Sequence, residues 1–337
     1  MILLSPVLSG VLLAAPPVPP GPLTGGGGCE AIQKKIDALP AEGGEVRLGP
    51  GTWTCKAPIV VDRDGVCLHG SGPGTLLRLA DGANAPVLVL GGLDADPKRA
   101  RRDLCVTDLR IDGNRRAQQF ECWGEKAKGG PCDADRPVRN NGITLRRVAD
   151  ARVERVQVDA CRSGGIVVER QSDYVTVRDV VARDHHFDGV AAYRTRFSTF
   201  ADLSLRNNCH AGLSFDLGFD HNLVRDVVIT RDADIQCGDL AAGTVGAFIV
   251  NSHHNVLRGL TIRNMRQHGI FLAQGELGPG SCSTHNVFVG VSATGGEEAG
   301  LRINDAACGA NALVGADLAD NRGGEISLAA PGLLRGR

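Results

Sequence analysis

Aromatic residues and net charge are both scarce in this sequence, and the two absences limit its partners. Phe, Trp and Tyr make up 4% of the 337 residues, and the formal net charge is −1. A chain so close to neutral has no global field to attract a nucleic acid or an anionic membrane. No Cys-x-x-Cys pair is present, so cysteine spacing predicts no zinc site. We expect no nucleic-acid partner, and an acidic ligand would need local basic residues.

Long apolar runs are also missing, and the first segment comes closest to one. Residues 1–15 are apolar and end in Ala-Ala-Pro, and a Pro/Gly-rich stretch continues to residue 28. The run has no Lys or Arg, is interrupted by Pro6, and is too short to span a bilayer. We interpret residues 1–28 as a signal peptide and linker, the alternative being a disordered tail. The protein is then secreted, periplasmic or at the cell surface.

Glycine, small aliphatic residues and cysteine are abundant. The 45 glycines and the many Val, Leu, Ile and Ala residues are typical of strands and turns rather than of a helical bundle. Eleven cysteines fit an oxidising compartment, and their odd number leaves at least one unpaired if the others form intramolecular bridges.

A repeat organises most of the chain. Similar short strands follow the glycines at 142, 165, 189, 212, 246, 269 and 300, at steps of 23 or 24 residues apart from two longer steps of 34 and 31. A period of this length indicates a solenoid, and the longer steps place insertions in turns after Ile229 and Gln274. A second strand follows each first one, so each coil holds at least two strands.

One column of the repeat predicts a ladder of polar side chains. It reads Ser198, Asn222, Asn255, Asn286 and Asn311. Stacked coils would let each amide bond the next. The histidines His221, His254 and His285 directly precede ladder positions, and we interpret them as turn residues rather than catalysts.

The segment before the first strands predicts a helix. Ile32, Ile36 and Leu39 have helical spacing. A solenoid has an open end with unpaired strand edges, which a short amphipathic helix can cover. We expect one elongated all-β domain over residues 29–329, closed by this N-terminal capping helix, with a tail at 330–337 and a monomeric state.

Two segments carry a resemblance to a known group. The stretch 32–53 (IQKKIDALPAEGGEVRLGPGTW) and Leu109-Arg-Ile-Asp-Gly-Asn, followed by coils with Gly-Ile and an Asn ladder, resemble the pectate-lyase-like β-helix superfamily. The resemblance implies a single-stranded right-handed parallel β-helix and a polysaccharide ligand. That superfamily includes lyases, epimerases, hydrolases and adhesins, so fold alone does not set the reaction. The motifs of the polygalacturonases are absent, and Ala191-Ala192-Tyr193 replaces the Asp-Pro-His of mannuronan epimerases.

Strand alternation predicts which side chains face outward. Residues one and three after each strand glycine are apolar and point inward. Residues four after the glycine then form an outward column, which reads Arg146, Glu169, Tyr193, Asp216, Val250, Ala273, Asn304. Arg170 and Arg194 follow where strands end, and the turns entering the strands carry His185, His186, Asp188, His210 and His268.

These residues predict a polysaccharide site with two candidate mechanisms. The catalytic candidates are Tyr193, His210, Arg194, Asp216, Glu169 and Asp188, and the substrate-binding candidates are Arg146, Arg170, His186 and His268. On a polyuronide, arginines would neutralise the carboxylate while Tyr193 and a histidine act as acid and base, giving a lyase or a C5-epimerase. An inverting hydrolase would instead use Glu169 and Asp216, roughly 9 to 10 Å apart at the strand spacing. A non-catalytic binding or adhesive protein is the third possibility.

Two further expectations concern metals and disulfides. No cofactor is indicated, although Asp232, Asp234 and Asp239 between residues 230 and 245 leave calcium open. Their spacing matches no EF-hand loop. Cys122 with Cys132, and Cys282 with Cys308, are the predicted disulfide pairs.

Overall fold

The computed structural model describes residues 21–119, 121, 138–233, 235–237, 244–275 and 279–336. Most of the predicted signal peptide, Cys122 with Cys132, and Asp234 with Asp239 lie outside the described residues. Within them, the chain winds into a solenoid of two parallel sheets. No helix in the described residues is long and apolar enough to cross a membrane.

The smaller sheet, here called the front sheet, has ten strands that pair in chain order. They are Ile59–Val61, Leu88–Gly91, Ile143–Arg146, Ile166–Glu169, Val190–Tyr193, Ala211–Asp216, Val245–Val250, Ile270–Ala273, Leu301–Ile303 and Ile326–Leu328. Seven of them follow the repeat glycines, so the predicted period is confirmed.

The larger sheet, here called the back sheet, contains eighteen strands, all paired in parallel. They are Gly27–Gly28, Gly44–Arg47, Gly51–Cys55, Val66–His69, Thr75–Leu79, Arg101–Asp112, Val148–Asp159, Ser172–Arg183, Thr195–Arg196, Thr199–Arg206, Phe219–Asp220, Leu223–Thr230, Ser252–His253, Val256–Arg263, Val287–Val289, Ser292–Thr294, Asn311–Val314 and Leu334–Arg335. Short 3₁₀ turns cover Arg115–Ala117 and Pro279–Ser281.

Paired strands extend beyond the predicted domain limits of 29 and 329. Gly27–Gly28 pairs with Trp53 and Thr54, and Leu334–Arg335 pairs with Asn311 and Ala312. Backbone pairing between strands needs no particular side chains. The two-residue strands Gly27–Gly28 and Leu334–Arg335 therefore could not be predicted from a side-chain pattern.

The core lies between the sheets and is filled by the predicted inward residues. Ile143, Leu145, Ile166, Val168 and their equivalents on later coils have no exposed surface. The repeat glycines permit close stacking of the coils: a Cβ on Gly212 would lie 2.4 Å from Ile229 Cγ2. The predicted alternation is therefore confirmed along the front sheet.

The polar ladder is also confirmed. Asn222, Asn255 and Asn286 are buried, and each receives a bond from the backbone N–H of the preceding ladder residue. Asn222 Nδ2 donates to Asn255 Oδ1 at 3.2 Å, and Asn255 Nδ2 donates to Asn286 Oδ1 at 2.9 Å. The ladder thus satisfies buried backbone groups at one corner of each coil.

The predicted cap is the helix Cys29–Asp37, with Ile32 and Ile36 buried in the core. Gln33 completes the edge of the front sheet: its Nε2 donates to Val60 O at 3.0 Å, and its Oε1 accepts from Val60 N at 2.8 Å. A side-chain amide thereby replaces the strand that the first coil lacks.

Among the described residues, four disulfides join cysteines that lie close in the coils. They are Cys29–Cys55, Cys67–Cys105, Cys209–Cys237 and Cys282–Cys308. The predicted pairing of Cys282 with Cys308 is confirmed. Cys161 is unpaired and buried, which agrees with the odd number of cysteines.

Candidate active site

The outward column forms on the front sheet as the sequence predicts. Arg146 is paired in register with Glu169, and Tyr193 with Asp216. Val168 pairs with Ala192, which sets Glu169 beside Tyr193. Four chemically capable side chains therefore occupy adjacent strands.

These strands end because the next residue leaves the extended conformation. Arg170 and Arg194 have φ values of +62° and +52°, in the left-handed region. Such a backbone turns the chain away from the sheet. Both guanidinium-bearing residues thus sit at one rim of the column.

A cavity of about 500 Å³ lies over this part of the sheet. Its lining includes six of the predicted residues, Glu169, Arg170, Tyr193, Arg194, His210 and Asp216. Arg139, Phe187, Ser214, Leu217 and Phe248 complete the lining that the structure describes. These five side chains are not among the site residues predicted from the sequence.

The cavity arises from a step in side-chain size. The outward position two after the strand glycine is Ala191 and then Ser214 on successive coils, followed by Phe248 and Phe271. The two phenyl rings stack with centroids 5.5 Å apart. Small residues leave space above the sheet, and the Phe248 ring closes its C-terminal end. The change from small to aromatic residues in this column is visible in the sequence, and it marks the coil at which the cavity ends.

His210 and Asp188 form a hydrogen-bonded pair at the cavity. His210 Nδ1 lies 2.7 Å from Asp188 Oδ1, and Asp188 is 1% exposed. Burial opposes a charged imidazole, but the charge and hydrogen bond of Asp188 outweigh it and raise the pKa of His210 above its ordinary value. The His210 ring stacks on Phe187, with centroids 4.5 Å apart. The ring is held with Nε2 left for a ligand.

Tyr193 is half-buried in the cavity wall. Burial, and next the charge of Asp188, raise the pKa of its hydroxyl above the usual value, against a smaller opposing effect of Arg139 and Ser214. Tyr193 is therefore a neutral phenol at ordinary pH. In that state the hydroxyl carries a proton that it can donate.

Two guanidinium groups in the lining have no acidic partner. Among the described residues, Arg170 and Arg194 form no side-chain hydrogen bond or ion pair. Other arginines in the described chain do form ion pairs with carboxylates, as Arg155 does with Asp108. Unpaired cations in a cavity favour an anionic ligand.

Arg146 requires a correction. Its side chain has no exposed surface, so in this structure it presents no group to a substrate. Its Nε donates to Glu169 Oε1 at 2.7 Å and its Nη1 to Gly92 O at 2.9 Å. Strand alternation predicts that the Arg146 side chain points outward from the sheet, but it does not predict whether other parts of the chain bury an outward side chain. Arg146 positions Glu169 instead.

His186 and His268 lie apart from the cavity lining. His268 pairs with Glu298, Nε2 to Oε2 at 2.8 Å, and stacks on Phe271. Its pKa is lowered, chiefly by burial. His185 is fully buried and accepts a bond from Cys161 N–H, and burial lowers its pKa to about 3. These groups do not converge on Tyr193.

His221, His254 and His285 are exposed turn residues, as the ladder predicts. Each has a φ near +57° and the rings stack at centroid distances of 4.9 Å. They lie at the ladder corner and none lines the cavity. Asp232 belongs to no cluster of potential metal ligands in the described residues.

Comparison with known proteins identifies the family. The profile described as right handed beta helix region matches residues 141–329, more than half of the chain. The chain belongs to this family.

Its curated relatives are bacterial enzymes. Mannuronan C5-epimerase AlgE4 of Azotobacter vinelandii is 30% identical over 172 residues, 48% of this chain and 28% of that protein. Mannuronan C5-epimerase AlgE1 of the same organism is 29% identical over 195 residues, 55% of this chain and 13% of that protein. The chain thus spans less than a third of the length of either relative.

Solved structures agree on the fold. The A-module of the AlgE4 epimerase matches with a TM-score of 0.61 at 17% identity, covering 91% of this chain and 95% of the module. The tailspike gp49 of Acinetobacter baumannii bacteriophage Fri1, a capsular polysaccharide depolymerase, matches at 0.54 and 12% identity, covering 89% and 51%. At such identities the likeness shows the β-helix fold alone.

Proposed function

We propose that the protein is a secreted enzyme that removes the C5 proton of a uronic-acid residue in a polysaccharide, as a C5-epimerase or a lyase. The observation that carries the proposal is one cavity that joins the His210–Asp188 pair, the Tyr193 phenol and the unpaired Arg170 and Arg194. Mannuronan is the first substrate to test, because the curated relatives are named for it.

The arginines address the hardest part of this chemistry. A proton beside an ionised carboxylate is very weakly acidic, because its removal adds a second negative charge. Arg170 and Arg194 would neutralise the carboxylate and stabilise the charge that develops on it. Since neither has an acidic partner in the described residues, no internal ion pair needs to be broken first.

His210 and Tyr193 divide the proton transfers. His210 Nε2 takes the C5 proton, and the buried Asp188 carboxylate stabilises the resulting imidazolium through Nδ1. Tyr193 keeps its proton until it is needed, because burial raises the pKa of its hydroxyl. Delivery of this proton to the other face of C5 gives epimerisation. Delivery to the departing glycosidic oxygen gives elimination.

A hydrolase is less well supported because Glu169, one of its two candidate carboxylates, is already ion-paired with Arg146. Its carboxylate accepts the bond of the buried Arg146, and protonation would leave that guanidinium without a counter-ion. A purely adhesive role would leave the His210–Asp188 pair without a purpose.

The deciding experiment is turnover in D₂O. The purified protein is incubated with polymannuronate, pectate and a neutral glycan, and products are followed by ¹H NMR and by unsaturated-uronate absorbance. An epimerase gives deuterium at C5 and altered configuration, and a lyase gives unsaturated ends. Reducing ends without either signal would indicate a hydrolase and contradict the proposal.

Two variants control this experiment. Tyr193→Phe should lose the activity, whereas His254→Ala, on the ladder corner, should retain it. No reaction with any uronan, in protein whose melting transition is intact, would favour the adhesive alternative.

A further inference from the structure

Three side chains with metal-binding chemistry, Cys67, His69 and Cys105, meet on the back sheet with Glu45 beside them, far along the chain from the cavity residues. Glu45 pairs in register with Cys67, and Cys67 with Cys105 on the next strand. His69 lies two residues beyond Cys67 and so shares its face. One potential ligand atom from each of Cys67, His69 and Cys105 lies within 4.8 Å of the others.

The donor set is one that zinc prefers. Two thiolates, an imidazole and a carboxylate oxygen are all common ligands of tetrahedral Zn²⁺. Glu45 Oε1 lies 3.8 Å from His69 Nε2, while its other oxygen, Oε2, pairs with Arg47. Because Glu45 is exposed, its carboxylate can leave Arg47 and turn to supply the fourth ligand. Two sulfurs on one zinc lie about 3.7 Å apart at Zn–S bonds of about 2.3 Å, a spacing that neighbouring parallel strands accommodate.

His69 is oriented as a ligand would be. Its Nδ1 bonds Thr107 Oγ1 at 2.9 Å, which fixes the ring. Its Nε2 is buried and has no hydrogen-bond partner among the described residues. Histidines that bind metals usually form a hydrogen bond through one ring nitrogen, which fixes the ring, and bind the metal through the other nitrogen.

The two cysteines form a disulfide, and it is the most accessible of the described bridges. Cys67 is half-buried, whereas both cysteines of the bridges Cys29–Cys55, Cys209–Cys237 and Cys282–Cys308 are buried. A reductant in solution therefore reaches Cys67 before the others.

We propose that Cys67, His69 and Cys105, with Glu45 as fourth ligand, form a redox-gated Zn²⁺ site. The bridge withholds both sulfurs from a metal. A trialkylphosphine and water reduce it, the phosphine becoming its oxide and each sulfur gaining a proton. Zn²⁺ then binds both sulfurs as thiolates and two protons leave.

A second cluster in the described residues provides the matched control. Cys282, Asp305 and Cys308 also place their ligand atoms within 4.8 Å, but they lack an imidazole and their bridge is buried. The same mild reduction should leave this bridge closed.

The test uses the whole protein and Co²⁺ as a spectroscopic probe for Zn²⁺. The oxidised protein is treated briefly with the phosphine, and alkylation with mass mapping verifies that Cys67 and Cys105 are the thiols released. The phosphine is removed under anaerobic conditions and Co²⁺ is titrated, followed by Zn²⁺ in competition. We expect one equivalent of Co²⁺ with thiolate charge-transfer bands and the intense visible absorption of tetrahedral cobalt, and none in the oxidised protein.

The variants decide between this site and incidental binding. His69→Gln should weaken Co²⁺ binding by more than about 10-fold, since even outer-shell changes cost 10- to 100-fold. The double variant Cys282→Ser/Cys308→Ser should bind like the parent. Melting curves of the oxidised proteins check that each variant is folded. Absence of Co²⁺ binding after reduction, or an unchanged affinity and spectrum in His69→Gln, would overturn the proposal.

Discussion

Arg146 and Glu169 lie side by side on adjacent front-sheet strands, with Nε 2.7 Å from Oε1 and the guanidinium fully buried. Glu169 is 23% exposed in its side chain and lines the cavity. A buried cation thus holds a carboxylate at the edge of the candidate active site. We therefore expect substitutions at this pair to change both the stability of the protein and the geometry of the candidate site.

Removal of the carboxylate should therefore destabilise the protein. Glu169→Ala leaves Arg146 buried without its counter-ion, and we expect a loss of about 2 kcal/mol, below the 3–5 kcal/mol of a fully buried pair because Glu169 is partly solvated. Urea denaturation measures the loss. The double variant Arg146→Met/Glu169→Ala should recover most of it, and equal midpoints for the single variant and the parent would contradict the pairing.

Tyr193→Phe should separate catalysis from folding. The ring volume is kept, and loss of a proton-transferring hydroxyl should lower kcat by about 10²- to 10⁴-fold. Turnover on polymannuronate and thermal melting are measured together. Undiminished turnover would move the proton donor to another residue.

His254→Ala is the converse variant. The ring stacks on both His221 and His285 and lies outside the cavity, so the change should lower stability by roughly 1–2 kcal/mol and leave turnover near that of the parent. Chemical denaturation and the same activity assay check it. A large loss of turnover would show that the ladder corner takes part in the reaction.

The His210–Asp188 pair predicts a pH dependence. As a base, His210 is active when neutral, and Asp188 raises its pKa, so kcat/KM should rise with pH through an apparent pKa above the ordinary 6.5. In Asp188→Asn the effects of burial and of the Arg139 charge remain, and both lower the pKa of His210. This limb should therefore move to lower pH while the maximal rate falls by about 10- to 100-fold. A limb that stays in place would remove His210 as the base.

The same pair makes a pH-dependent contribution to stability. The folded pKa of His210 lies above its unfolded value, so the stabilisation is fully present below about pH 6.5 and is lost as pH rises through the folded pKa. The difference in unfolding free energy between parent and Asp188→Asn should shrink accordingly. Urea titrations at several pH values measure it, and a difference that grows with pH would contradict this sign.

Asn255→Ala tests the ladder. Asn255 Nδ2 donates to Phe219 O at 2.7 Å and its Oδ1 accepts from Asn222, so the change leaves buried groups unsatisfied. We expect a loss of about 2–4 kcal/mol. Asn304→Ala, at an exposed position outside the ladder, should change the denaturation midpoint little. Similar midpoints for both variants would mean that water replaces the ladder amide.

The sequence predicted those parts of the molecule that repeat. The glycine period set the strands, the register and the neighbours of Tyr193, and the Asn column set the corner of each coil. It could not predict that Arg146 is covered, because burial of an outward residue depends on segments outside the repeat. Arg139 and Phe187 were missed for a different reason. They lie three and two residues before the strand glycines at 142 and 189, in turns where only His and Asp side chains were considered.

The stepwise floor beside Ser214 and Phe248 also bears on how such proteins diversify. Each coil contributes one residue to each outward column. The inward residues that form the buried core belong to other columns. An outward residue can therefore be replaced during evolution without disturbing the buried core. A large residue at the position of Phe248 could in this way move to a neighbouring coil and shift the end of the cavity by one coil. Homologues should then differ in the length and position of the cavity more than in the number or spacing of their coils.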